Sequence, residues 1–257
     1  VSYSAEERLA VEAAWAAVAC QRARPSRVDH KGAVDLVTDV DLASEEAIRA
    51  VLSRGTPDIP VLGEEGGGAA EARTRWVVDP LDGTTNFVHG LPHYGPSIAL
   101  EVDGQPVVGV VIDTHRGDVF RAHRGGGAWL GDQRLRVSGV QSLDGALVAT
   151  GFPTDRRVRA AFYLERVRWV MERCQGIRRA GSAALDLSWL AAGRVDAFWE
   201  YDLARWDIAA GRVIVEEAGG RVSALPGCDL GDRPSPLATN GHLHEAFAAL
   251  FEGDPSA

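Results

Sequence analysis

A chain of 257 residues with 46% hydrophobic residues, mostly aliphatic, can bury the core of one large domain or two packed halves without a disulfide frame. Its net charge of -9, with no basic tail and no aromatic-basic interleaving, argues against a nucleic-acid surface, and no apolar run is long enough to span a membrane. Cys20, Cys174 and Cys228 are odd in number and lack metal-ligand spacing, so they read as reduced thiols. The N-terminus shows no basic-then-apolar leader, and the expectation is a cytoplasmic protein.

In chain order, an Ala-rich amphipathic stretch from Ser4 to Cys20, with Glu6 and Glu7 in its first turn, predicts a helix. Thr38 or Asp39 caps a second one through Leu52, with Leu42, Ile48, Val51 and Leu52 as its apolar face. Apolar runs bounded by Gly, Pro or Asp then predict strands at Ile59 to Gly63, Trp76 to Asp79, Ser97 to Val102, Val107 to Ile112 and Asp118 to Ala122. Val102-Asp103-Gly104-Gln105 reads as a hairpin turn, so several of these pair antiparallel.

From Leu143 onward the pattern changes to strands separated by helices. Strands are expected at Ala146 to Thr150 and Val195 to Trp199. Helices are expected near Val158 to Cys174, Ser182 to Ala192, Ala204 to Glu217 and His242 to Phe251. This alternation predicts a layered α/β fold, with residues 1–140 and 141–257 as two halves of one unit. No internal repeat or low-complexity linker is present, and Gly66-Gly67-Gly68 and Gly125-Gly126-Gly127 read as local loops.

The densest chemistry lies in Trp76-Val77-Val78-Asp79-Pro80-Leu81-Asp82-Gly83-Thr84-Thr85-Asn86, where a buried strand runs into two carboxylates. Pro80 fixes φ and suits the first turn of a helix, so Asp79 and Asp82 can converge on one side, as a hard divalent cation requires. Gly83, Thr84 and Thr85 then offer N–H groups and hydroxyls to a phosphate. Gly63-Glu64-Glu65-Gly66 sets two more acids at a strand end, and Trp206-Asp207 opens a helix that closes on Gly219-Gly220. Alone, these are an ordinary solvated loop and an acid favoured by a helix dipole.

Lys31 is the one lysine among 27 basic residues, as though its position needed a compact ammonium. Spacing excludes other phosphate chemistries: Asp79 and Asp82 are too far apart for an aspartyl-phosphate pair, no cysteine has an arginine six residues later, and Lys31 stands outside any Walker sequence. His89 and His93 straddle Gly90 and Pro92, which disfavours a zinc pair.

The Trp76–Asn86 stretch resembles the signature of the inositol monophosphatase family of metal-dependent phosphatases, and the resemblance covers most of the chain. It implies an α-β-α-β-α sandwich related to fructose-1,6-bisphosphatase, and a homodimer. By their places in the family's motifs, Glu64, Asp79, Asp82, Asp207 and the Leu81 carbonyl are the implied metal ligands. Such an all-oxygen set suits Mg²⁺, with two ions sharing Asp79 and a third near Glu64.

The same resemblance implies that Asp41 and Thr84 orient the attacking water, that Glu65 positions water nearby, and that Lys31 screens the carboxylates. Asp39, two residues before Asp41, fits as a helix-capping acid. Gly83 and Thr84 would hold phosphate, while Gly181, Ser182, Ala183, Glu200 and Asp82 would meet a polyol. The implied activity is direct hydrolysis of a phosphomonoester, foremost inositol 1-phosphate, with lithium sensitivity. Pro96, Asp186 and the Tyr201 to Arg205 loop depart from the pattern, so histidinol phosphate, fructose 1,6-bisphosphate and a nucleotide 3'-phosphate stand as alternatives. A regulatory binding protein on the same fold is the alternative of another class.

Overall fold

Helices α1 (Ser4–Cys20) and α2 (Asp39–Gly55) lie together on one face of a seven-stranded sheet; between them in sequence, β1 (Val28–His30) and β2 (Leu36–Thr38) form a separate antiparallel pair. This computed structural model describes residues 2–32, 35–68 and 70–252; Ala33 and Val34, inside the Lys31 to Asp41 segment, lie outside the described residues. The large sheet contains β3 (Val61–Gly63), β4 (Thr74–Asp82), β5 (Gly95–Val102), β6 (Gln105–Asp113), β7 (Asp118–His123), β8 (Gly127–Leu130) and β9 (Gln133–Arg134) in spatial order. Only β3 and β4 run parallel; the other neighbours are antiparallel. The short helix α3 (Thr84–His89) follows β4.

The second sheet is built from β10 (Leu147–Thr150), β11 (Gly176–Arg178), β12 (Ala197–Trp199), β13 (Arg221–Ala224) and β14 (Pro236–Thr239), in the order β11-β10-β12-β14-β13. Helices α5 (Ala183–Ala191) and α6 (Arg205–Glu217) fill the space between the sheets, and α4 (Ala160–Met171) and α7 (His244–Phe251) cover the outer face of the smaller one. The result is the α-β-α-β-α sandwich expected. Among the described residues no helix is long and apolar enough to cross a membrane.

Strand alternation assigns the side chains to layers. On β4, Trp76 and Val78 join the core under α1 and α2, while Val77 joins the core shared with α5 and α6. Ile98 and Leu100 against Ala99 on β5, and Val110 and Ile112 against Val111 on β6, divide in the same way. Both faces are covered, so these strands read as unbroken apolar runs. The β5–β6 hairpin turns at Asp103 and Gly104, both with positive φ (52° and 72°), the backbone a tight two-residue turn requires.

Most predicted elements are present with ends moved by a few residues. Three expectations fail. Leu42 is no part of the apolar face of α2: it is 56% exposed, while Ile48, Val51 and Leu52 are buried. Pro80 does not start a helix: β4 continues to Asp82, and the helix begins only at Thr84, after Gly83 with φ 94°. Asp39 does not cap α2: Thr38 does, its hydroxyl accepting from the Val40 and Asp41 N–H groups, while Asp41 reaches back to the Thr38 N–H. The Asp39 carboxylate accepts from Ser26 and Arg27 instead.

Candidate active site

The end of β4 explains how two acids three residues apart come to one side. Asp79 pairs with Ser97 and Asp82 with Gly95, so β4 spends one residue more than β5 over the same step. In a regular strand positions i and i+3 face opposite ways; the extra residue of a bulge restores them to one face. Gln21 holds the bulge, donating from Nε2 to the Pro80 carbonyl at 2.7 Å. Asp79 and Asp82 thus reach one cavity wall from a bulged strand, not from the helix turn the sequence suggested.

The other acids arrive from neighbouring elements. Parallel pairing of β3 with β4 carries Glu64 alongside, its N–H donating to the Val78 carbonyl at 3.1 Å. Behind it, buried Glu45 of α2 accepts from the Glu65 N–H (2.8 Å), the Gly66 N–H (2.9 Å) and Arg49 Nε (2.8 Å). Gly63 and Gly66 leave room for that carboxylate, since an added Cβ would lie 2.5 Å or 2.6 Å from it. Asp207 sits in the first turn of α6, with Oδ2 accepting from the Ala204 N–H at 2.7 Å.

Burial raises the proton affinity of Asp79 far above the usual carboxylate range, and the charges of Glu64, Asp82 and Asp207 push it further. Asp207 is raised in the same way, by burial and then by Asp82 and Glu64. Burial pushes Asp82 up to about 6, against hydrogen bonds from Ser182 and Ala184. Glu64 is also raised by burial, with Lys31 opposing. Lys31 Nζ lies 2.9 Å from Glu64 Oε1 and 2.5 Å from Glu65 Oε1, and these acids hold its ammonium above the ordinary range despite burial.

Mutually repelling, buried, all-oxygen donors fit a hard divalent cation by their chemistry. As placed, no three His, Cys, Asp or Glu side chains among the described residues close on one metal position. Instead one oxygen of each carboxylate is turned to a protein donor: Asp79 Oδ1 to the Leu81 N–H (2.9 Å), Asp82 Oδ2 to Ser182 Oγ and the Ala184 N–H (both 2.7 Å). Asp79 also shares a side-chain hydrogen bond with Glu64, the contact two repelling acids make when one of them holds a proton.

Thr84 Oγ1 stands 3.0 Å from Asp41 Oδ1 and 3.1 Å from the Leu81 carbonyl. Burial raises the Asp41 proton affinity, opposed by hydrogen bonds from Thr38 and Thr84. Gly83 needs its left-handed backbone and its missing Cβ, which would meet the His93 carbonyl at 3.0 Å.

These groups border a cavity of about 620 Å³ whose wall includes Glu64, Asp79, Leu81, Asp82, Gly83, Thr84, Gly181, Glu200 and Asp207. Ser182 and Ala183 line a smaller adjoining cavity with Glu200. Asp41 stands behind Thr84, and Glu65 is turned to Lys31; neither is part of the wall. Glu200 is pushed up to about 8 by burial, with Arg179 opposing, and its carboxylate occupies the space a Gly151 side chain would take, 2.1 Å from an added Cβ.

Several residues escaped the sequence reading. Glu45, Gln21 and Gly151 support the site from elements with no motif of their own, and only their partners reveal them. Asn86 had a signal, its place inside the motif: its Nδ2 donates to the carbonyls of His93 (2.7 Å) and Ala180 (2.9 Å), tying α3 to the segment before Gly181.

A sequence model described as the inositol monophosphatase family matches residues 2–255. The chain is 50% identical over 206 residues to the Nus factor SuhB of Pseudomonas aeruginosa, covering 78% of this chain and 76% of that protein. It is 43% identical over 232 residues to the inositol-1-monophosphatase of Rhizobium meliloti, covering 88% and 86%. Among solved structures, the extragenic suppressor protein suhB from Bartonella henselae superposes with a TM-score of 0.91 at 39% identity, covering 98% of this chain and 100% of that one. The inositol monophosphatase from Anabaena gives 0.87 at 37% identity, over 95% and 94%. Agreement along nearly the whole length, in sequence and in fold, makes the chain a member of the inositol monophosphatase family of phosphomonoesterases.

Proposed function

We propose that this protein is a Mg²⁺-dependent phosphomonoester hydrolase whose foremost substrate is inositol 1-phosphate. The observation that carries the reading is the meeting, in one cavity, of buried mutually repelling carboxylates with the Thr84–Asp41 pair. Glu64, Asp79, the Leu81 carbonyl, Asp82 and Asp207 would hold two ions with Asp79 shared, and a third beside Glu64. Bound there, such ions supply Lewis acidity, making water more acidic and offsetting charge on the ester and its leaving oxygen.

The chain's own residues do the rest. Thr84 Oγ1 accepts a hydrogen bond from the attacking water while directing its own hydrogen to Asp41 Oδ1, and the raised proton affinity of Asp41 suits a proton acceptor. Thr38 fixes Asp41 from behind through its N–H at 2.9 Å. The Gly83 and Thr84 N–H groups hold nonbridging phosphate oxygens, and Lys31 and Glu65 screen and order the entrance to the carboxylates. Glu200 accepts hydrogen bonds from substrate hydroxyls beside Gly181, Ser182 and Ala183, and Asp82 accepts another. Water attacks directly, so no side chain serves as nucleophile. A cytoplasmic, lithium-sensitive homodimer accords with this reading.

The test is Mg²⁺-dependent phosphate release from inositol 1-phosphate, histidinol phosphate, fructose 1,6-bisphosphate and adenosine 3',5'-bisphosphate. Inositol 1-phosphate is expected to be turned over best. Preference for another ester would overturn the substrate and keep the centre. The relatives named Nus factor SuhB favour a second reading, a regulatory role on the same fold, which predicts no turnover of any of the four.

A further inference from the structure

Resting on the phosphomonoesterase reading, we propose that Arg156, Arg179 and Arg233 form a second anion site at the polyol end of the same cavity. Such a site raises kcat/KM for a phosphomonoester whose alcohol also carries a phosphate or a carboxylate over that of the matching ester without it. The three side chains come from separate parts of the chain to one wall: Arg156 from the 3-10 turn after β10, Arg179 from the loop after β11, and Arg233 from the loop between β13 and β14. Arg179 and Arg156 both attract the Glu200 charge, which places them at the end where the alcohol would lie.

Beside the cavity, Arg159 is answered by Asp155 and Asp202 and Arg205 by Glu101. Among the described residues, none of the three in the cavity wall makes an ion pair. Arg156 donates one N–H to the Pro153 carbonyl at 3.2 Å and Arg233 one to the Asp202 carbonyl at 3.1 Å. A guanidinium has five N–H donors in a fixed fork, so most of them remain for a ligand, and that fork matches phosphate and carboxylate.

Shape agrees with charge. A cavity of about 620 Å³ holds more than one phosphate on one small ring. The loop that departs from the family's pattern, Tyr201 to Arg205, contributes Asp202, whose backbone sits at φ 51° and whose carbonyl steadies Arg233.

Matched pairs isolate the second anion. The kcat/KM of fructose 1,6-bisphosphate is compared with that of fructose 1-phosphate, and 3-phosphoglycerate with glycerol 3-phosphate, each pair differing by one anionic group. The ratio is expected to reach about 10-fold in at least one pair and to fall as salt is raised, as charge-assisted contacts do. The pair that shows it identifies the anion as phosphate or carboxylate. Arg179→Gln, and Arg156→Gln combined with Arg233→Gln, should each lower the ratio, and all three together should bring it to about one. Ratios near one in the native protein overturn the proposal, as does a ratio that survives the triple variant. No turnover of these four esters or of inositol 1-phosphate would instead overturn the phosphomonoesterase reading beneath it.

Discussion

Two sets of buried acids in this molecule have opposite surroundings. Glu45, Glu101 and Glu7 are 3%, 2% and 4% exposed, and each is met by a cation: Arg49 for the first, Arg75 and Arg205 for the second, Arg121 for the third, whose other oxygen lies 2.6 Å from His123 Nδ1. Asp79, only 2% exposed, meets Glu64, Asp82 and Asp207 instead. Burial is common to both sets; the sign of the neighbours separates them. An acid answered within the chain belongs to the framework, whereas acids that face one another keep room for a charge the chain does not supply.

The sharpest way to break this comparison is to neutralise one acid of each kind. Asp79→Asn should lower kcat/KM by about 10³-fold, equal to about 4 kcal/mol of transition-state stabilisation. In EDTA the same variant should melt higher than the native protein, because one of several repelling charges is gone. Full activity, or a lower melting temperature in EDTA, would place Asp79 with the framework acids.

Glu101→Ala should do the reverse. It strands Arg75, whose Nη2 lies 2.9 Å from Glu101, and leaves Arg205, 3.2 Å from it, with the exposed Asp232 alone. Removing one member of a buried pair costs about 3 to 5 kcal/mol. Urea denaturation should show that loss equally with and without Mg²⁺. A variant as stable as the native protein would show that buried pairing here is not structural.

Much of the site was legible because the chemistry is local in sequence. Asp79, Asp82, Gly83 and Thr84 fall in one run, and the structure brings Glu64, Asp207 and Glu200 to it. What was not legible depends on backbone and on distant partners. Proline after Asp79 suggested a helix turn, whereas pairing with β5 kept the strand and made a bulge, because ladder contacts on a central strand outweigh a local φ preference. Asp39 looked like a cap until Ser26 and Arg27 were seen to occupy it. Strands β8, β9, β11, β13 and β14 have four residues or fewer and were not read, whereas β3, β10 and β12, as short, were read from apolar runs bounded by Gly, Pro or Asp.

The subtlest separation is in pH. Glu200 is raised to about 8 and Asp82 to about 6, and Asp79, Asp207 and Glu64 are raised as well. Raised values mean that the folded chain holds protons the unfolded chain has already released, so their contribution to stability is complete below the unfolded carboxylate range and is lost as pH rises through the folded values. His244, lowered by burial, acts in the opposite sense only below its usual range. In EDTA, stability should therefore fall between pH 5.5 and pH 8, at about 1.4 kcal/mol per pH unit for each proton retained. Mg²⁺ favours the ionised carboxylates and should flatten that slope, so the stabilisation it gives grows with pH. Urea curves at the two pH values, with EDTA and with Mg²⁺, measure both slopes. Parallel slopes would mean that these acids do not answer to the cation, and the contrast with Glu45, Glu101 and Glu7 would lose its meaning.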